Sequence, residues 1–99
     1  MNPDSSFEVL REIISEVCNV PLESFTRDVN LVEDLGIDSI DFLDVTFEIE
    51  RRFSIKLPVE EWGERIANGE PIAEYFVMSR FVAQVDALIR SSRGSVKSA

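Results

Sequence analysis

Apolar residues recur along the chain at helical intervals, in stretches separated by Pro, Gly and Asn, and nowhere in the two-residue alternation of a half-buried strand. Ser5 and Glu8 stand at capping-box spacing. Phe7, Leu10, Ile13, Ile14 and Val17 then fall on one face, which predicts a first helix over residues 5–18. Periodicity lapses over residues 19–38, where Pro21, Asn30 and Gly36 break regular structure while Phe25, Val29, Leu31 and Leu35 supply apolar anchors. An ordered loop packed on the core is expected there.

A second helix is predicted from Asp38 or Ser39 to about residue 53. Ile40, Leu43 and Phe47 share one stripe, and Phe42, Val45, Ile49 and Phe53 widen it, so this helix is expected to be largely buried. Pro58 suits the first turn of a third helix, "PVEEWGERIAN", which Asn68-Gly69 closes. After Pro71, "IAEYF" predicts one short turn. Ser79 is placed to cap a last helix with Phe81, Val82, Val85, Leu88 and Ile89 facing inward. The polar "SSRGSVKSA", residues 91–99, is expected to be a flexible tail, and residues 1–4 a flexible N-terminus. The fold class is therefore all-α, a small helical bundle occupying residues 5–90.

A hydrophobic content of 44% over 99 residues suffices for a modest core without disulfides. Cys18 is the lone cysteine. Following Val17 at the end of an amphipathic stretch, it reads as a small buried side chain rather than a reactive thiol, and a reducing compartment fits. Residues 1–6 carry neither a basic leader nor an apolar run, and no apolar run approaches bilayer length. A cytoplasmic location without membrane insertion is expected. The net charge of −9 disfavours nucleic acid and anionic membrane and favours basic partners.

One hydroxyl stands out, Ser39 in "DLGIDSIDFLDV". A hydrolase elbow requires Gly-x-Ser-x-Gly and a base, but Gly36 lies three residues before Ser39, Asp41 two after, and the chain has no His. A calcium loop beginning at Asp28 fails too, because Glu33 stands where Gly is needed and Ser39 where a bidentate Glu is needed. Asp38, Asp41 and Asp44 read as solvated charges, so no metal is assigned. Capping is the plain reading of Asp-Ser. Asp38, however, already supplies a cap, which leaves Ser39 in the first turn with its hydroxyl outward, where the positive helix end favours an attached phosphate. Asp41, Asp44 and Glu48 follow at spacings of three and four and form an acidic stripe on which a basic enzyme can dock.

The stretch "DLGIDSIDFLDVTFEIERRFSIKLP", residues 34–58, resembles the region around the prosthetic-group serine of acyl carrier proteins, with its Leu-Gly-x-Asp-Ser-[Leu/Ile] motif. The resemblance implies a four-helix carrier bundle with a long ordered loop between the first two helices and an extended region around the third. By position it implies that Ser39 receives phosphopantetheine through a phosphodiester and that Asp38 is the acidic residue preceding it. Asp41, Asp44 and Glu48 correspond to the acidic docking face, and Ile40, Leu43, Phe47 and Phe53 to the apolar positions of that helix. Two departures stand out. Arg51 and Arg52 replace the acidic residues usual there. The stretch "PVEEWGERIANGEPIAEYFVMSRFVAQVDALI" is also longer than in ordinary carriers and resembles the specialised AcpXL-type carriers of very-long-chain acyl groups for lipid A.

This resemblance implies a non-catalytic monomer that carries acyl thioesters and meets a holo-acyl-carrier-protein synthase, ketosynthases and other fatty-acid enzymes, and an acyltransferase. Leu43, Phe47, Trp62, Ile66, Tyr75 and Phe76 are the candidates to border the acyl path, against the plainer reading of Trp62, Tyr75 and Phe76 as core. The alternatives are a carrier for a polyketide, peptide or other specialised acyl pathway, or an acidic helical interaction domain in which Ser39 only caps.

Overall fold

Ser5–Cys18 forms the first helix, α1, in the computed structural model, which describes the backbone of residues 5–98 and the side chains of residues 6–92. The predicted bounds hold, and Phe7, Leu10, Ile13 and Ile14 are buried along one face. Asn19 ends the helix in the left-handed conformation, at φ 58°. The expectation of a flexible N-terminus falls on residues 1–4, outside the described span.

The long connection that follows contains one 3-10 turn, Leu22–Ser24, and is anchored by Phe25 and Leu31, both buried. Its backbone polar groups cannot enter the core unpaired, and they find partners on a distant part of the chain. Asn30 forms an isolated antiparallel bridge with Val77. The Leu31 N–H donates to the Phe76 carbonyl at 2.8 Å, the Met78 N–H to the Val29 carbonyl at 2.8 Å, and the Ser79 N–H to the Arg27 carbonyl at 2.9 Å.

The second helix, α2, spans Ser39–Phe53. Its inner face is Val45, Thr46 and Ile49, with Phe42 and Phe53 packed beside them. The expectation that this helix is largely buried fails: Ile40 is 72% exposed, Leu43 45% and Phe47 61%. At 100° per residue these three lie on the side of the helix opposite Val45 and Ile49, and nothing packs over them. Ser54, at φ 56°, turns the chain out of α2, and Glu50 pins the exit by accepting the Leu57 N–H at 2.8 Å.

Three further helices complete the bundle: α3 at Val59–Ala67, the short α4 at Ala73–Phe76, and α5 at Met78–Ser98. Pro58 opens α3 and Gly69, at φ 109°, turns the chain beyond its end, both as predicted. The described residues thus hold five α-helices and no strand, an all-α bundle in which the extended region supplies one short helix more than the four expected. Two boundaries differ from expectation. Ser79 does not cap α5, because the helix begins at Met78 and the loop carbonyls of Val29 and Arg27 take its first amides. The helix also does not end before Ser91 but continues through Ser98.

Aromatic rings tie the pieces together. Phe42 of α2 meets Phe76 edge-on at 5.1 Å and Phe81 at 5.9 Å; Phe81 meets Trp62 of α3 at 6.2 Å, and Trp62 lies 5.5 Å from Tyr75. One run of rings therefore joins α2, α3, α4 and α5. Among the described residues no helix is long and apolar enough to cross a membrane.

The difference in burial between Phe81 and Phe47 predicts unequal costs for two similar truncations. Phe81→Ala removes a fully buried ring and is expected to cost about 3–5 kcal/mol, whereas Phe47→Ala on the open face of α2 is expected to stay within about 0.5 kcal/mol. Urea denaturation of the two variants checks both.

Candidate functional site

The start of α2 is set by the turn before it. The buried Asn30 side chain accepts the Val32 and Glu33 N–H groups at 3.0 and 2.9 Å, and the Asp34 carboxylate accepts the Asn30 N–H at 2.8 Å. This reciprocal arrangement closes a helical turn, which Gly36 then terminates at φ 69°, a conformation open to glycine at little cost. The Ile37 N–H donates to the Leu31 carbonyl at 3.1 Å, and the Ile37 side chain is buried. Asp38 follows in an extended conformation, and its carboxylate accepts the Asp41 N–H at 2.9 Å.

Asp38 is therefore the N-cap, as its position predicts, and Ser39 is the first helical residue, exposed to solvent. The cap is spent on the backbone of Asp41. The Ser39 hydroxyl stands at the positive end of a helix of 15 residues.

Asp41, Asp44 and Glu48 run along α2 from this point, with Asp44 exposed and Asp41 and Glu48 half-buried. Their field reaches the end of α1. The Cys18 thiol is pushed up to about 11, by burial first and then by the charges of Asp41, Asp38 and Asp44. Half-buried rather than fully buried, Cys18 stays protonated at neutral pH and is no nucleophile. Glu48 differs from the two aspartates. Arg51 donates to both of its carboxylate oxygens at 2.9 and 2.7 Å, and Arg52 lies 3.7 Å away, so the hydrogen bonds from Arg51 hold the Glu48 carboxyl below its ordinary range. Among the described residues no ion pair is made by Asp41 or Asp44.

The six residues singled out for an acyl path do not converge. Leu43 and Phe47 are exposed on the outer face of α2; Trp62 and Tyr75 are buried in the ring cluster; Ile66 and Phe76 are half-buried against the core. The Tyr75 hydroxyl donates to Glu70. Reading the sequence missed Phe42 as the junction of the cluster and Asn30 as the organiser of the turn. The spacing of Asn30 to Asp34 held the signal for the second. Among the described residues no three His, Cys, Asp or Glu side chains gather as a metal site.

An exposed serine thus begins α2 beside a capping aspartate and an acidic stripe. The family described as "Phosphopantetheine attachment site" matches residues 8–62, more than half of the chain. An acyl carrier protein AcpXL of Brucella melitensis is 37% identical over 91 residues, covering 91% of this chain and 98% of that protein. The AcpXL of Rhizobium meliloti is 35% identical over 95% of this chain and 100% of its own length, and an acyl carrier protein of Guillardia theta is 35% identical over 76% and 91%. The chain belongs to the acyl carrier proteins, as a carrier of the AcpXL type, and phosphopantetheine is the cofactor of the family.

The Arg51 contact predicts the titration of Glu48. Its side-chain carbon signal should titrate below the ordinary glutamate range by NMR, and Arg51→Ala should return it upward. Because the folded pKa is lowered, the contribution of the pair to stability is present above the unfolded glutamate pKa and is lost as pH falls through the folded value.

Proposed function

We propose that Ser39 is the residue to which phosphopantetheine is attached, and that the protein carries acyl groups for very-long-chain fatty acid and lipid A synthesis in the cytoplasm. The observation that supports Ser39 is its exposure at the first position of α2 while Asp38 alone serves as cap. A phosphodiester on this hydroxyl fits the site: it faces water, and it lies at a helix N-terminus where a negative group is stabilised. When bound, the group supplies a terminal thiol that holds acyl chains as thioesters. The residues of the chain itself position and present the cargo and break no bond in it.

Length supports the subtype. AcpXL relatives align over 85 to 95% of this chain, whereas ordinary carriers from Guillardia theta and Wolinella succinogenes align over 76% and 70%. The bands are those expected if the extended region belongs to the AcpXL type. Working as a monomer, the carrier meets a holo-acyl-carrier-protein synthase, then ketosynthases and other elongation enzymes, and finally an acyltransferase of lipid A synthesis. Asp41, Asp44 and Glu48 form the docking stripe, which speeds encounter with basic patches, and Arg51 and Arg52 blunt it at the Glu48 end.

Incubation with coenzyme A and a holo-synthase, followed by intact-mass measurement, tests the attachment. Ser39→Ala should abolish the phosphopantetheine adduct and leave helicity unchanged; an adduct that persists on another residue overturns the assignment. Reversing Asp41, Asp44 and Glu48 to Lys should slow the transferase strongly at low salt and less at high salt. Equal rates for variant and parent at both salt concentrations remove the stripe from docking.

A further inference from the structure

Of the three carboxylates in the α2 stripe, Glu48 is the one already engaged among the described residues. The Nη2 group of Arg51 donates to both of its oxygens, at 2.9 and 2.7 Å, and the Nη2 of Arg52 lies 3.7 Å away. The two guanidiniums stand further into solvent than the carboxylate they hold: the Glu48 side chain is 27% exposed, those of Arg51 and Arg52 76% and 55%. A protein approaching the end of α2 meets cation before anion. Glu12 and Glu16 of α1 line the same cleft, yet among the described residues neither pairs with Arg51 or Arg52. Spacing accounts for the choice, since residues three and four apart on one helix are direct neighbours.

An exposed pair of this kind adds little to the stability of a fold. Its effect falls on whatever else reaches for the carboxylate. A Lys or Arg of a docking enzyme competes with Arg51 for the same two oxygens, and if Arg51 alone were displaced Arg52 is close enough to replace it. Because the intrachain pair is weak, this competition reduces what Glu48 gives to docking severalfold and does not abolish it. Nearer Ser39, Asp44 is exposed and makes no such pair.

We propose that Arg51, backed by Arg52, is a specificity-determining residue for docking: an intrachain competitor that withholds Glu48 from enzymes reading the stripe, the holo-synthase among them. This rests on the reading of Asp41, Asp44 and Glu48 as the docking stripe. The favoured partner is a protein whose cationic patch is short and ends opposite Asp44, because such a patch loses nothing when Glu48 is withheld. A patch that runs the length of α2 loses one of its contacts. Discrimination arises here from a contact removed and not from one added.

The test measures kcat/KM for phosphopantetheine transfer from coenzyme A by the holo-synthase, at low and high salt. Four full-length chains are compared: the parent, Arg51→Ala with Arg52→Ala, Glu48→Gln, and all three substitutions together. Intact mass of the parent first establishes the adduct, so a failure of the attachment reading shows there and is distinct from a failure of this one; circular dichroism confirms helicity in each variant. Removing the two arginines should raise kcat/KM about threefold to fivefold at low salt, chiefly through KM, and less at high salt. In the Glu48→Gln background the same removal should keep less than half of that gain. A gain that keeps more than half of its size without Glu48 overturns the competitor in favour of plain repulsion by exposed cations. An unchanged kcat/KM overturns it outright, and a fall overturns it in favour of an enzyme carboxylate that uses Arg51 as its contact.

Discussion

A loop that packs on a core must pair its backbone, and the rest of this structure depends on how residues 27–31 do so. Their carbonyl and amide groups pair with the residues around Val77, where α4 passes into α5. The pairing serves both sides. It gives the loop partners that water cannot supply once Phe25 and Leu31 are buried, and it gives the first amides of α5 the acceptors that a helix start lacks. With the loop fixed, Asn30 is fixed, and the turn through Asp34 and Gly36 aims Asp38 at the start of α2. The position of Ser39 is thus set by a hydrogen-bond chain that begins at the far end of the extended region.

The electrostatics of α2 follow a gradient. Asp38, Asp41 and Asp44 crowd the first half, and their charges add to burial, the larger cause, in raising the Cys18 thiol at the end of α1. The second half is compensated, since Glu48 is held by Arg51 and approached by Arg52. Exposed pairs of this kind contribute little to stability, but they remove a charge from the surface a partner sees. The two arginines also sit in the last turn, where they oppose the negative end of the helix. The net negative charge of α2 therefore lies beside Ser39 and not along the whole helix.

Packing and presentation use different faces of the same helix. Thr46 shows how tightly the inner one is closed: it is buried and satisfies its hydroxyl on the Phe42 carbonyl, 2.8 Å away. The ring cluster joins α2 to the extended region. The outer face keeps apolar side chains in water, a cost that a protein selected for stability alone would avoid. The exposed strip begins at Ile40, the residue next to Ser39.

The sequence by itself determined the helices and the serine. Periods of 3.6 residues, the Ser5 and Glu8 spacing, Pro58 and Gly69 marked α1, α2 and α3 closely, because these signals are local and act within a few residues. The Leu-Gly-x-Asp-Ser motif pointed to Ser39 and to its family before any contact was known. Only the tertiary structure decided which apolar stripe of α2 is buried. Ile40, Leu43 and Phe47 and the set of Phe42, Val45 and Ile49 are equally helical patterns, and the choice between them belongs to the neighbours that arrive from elsewhere in the chain. The start of α5 was decided in the same way, since its first amides are paired with a loop some fifty residues earlier rather than with Ser79. Local spacing fixes what can form a helix; which face it hides and where it begins depend on contacts distant in sequence.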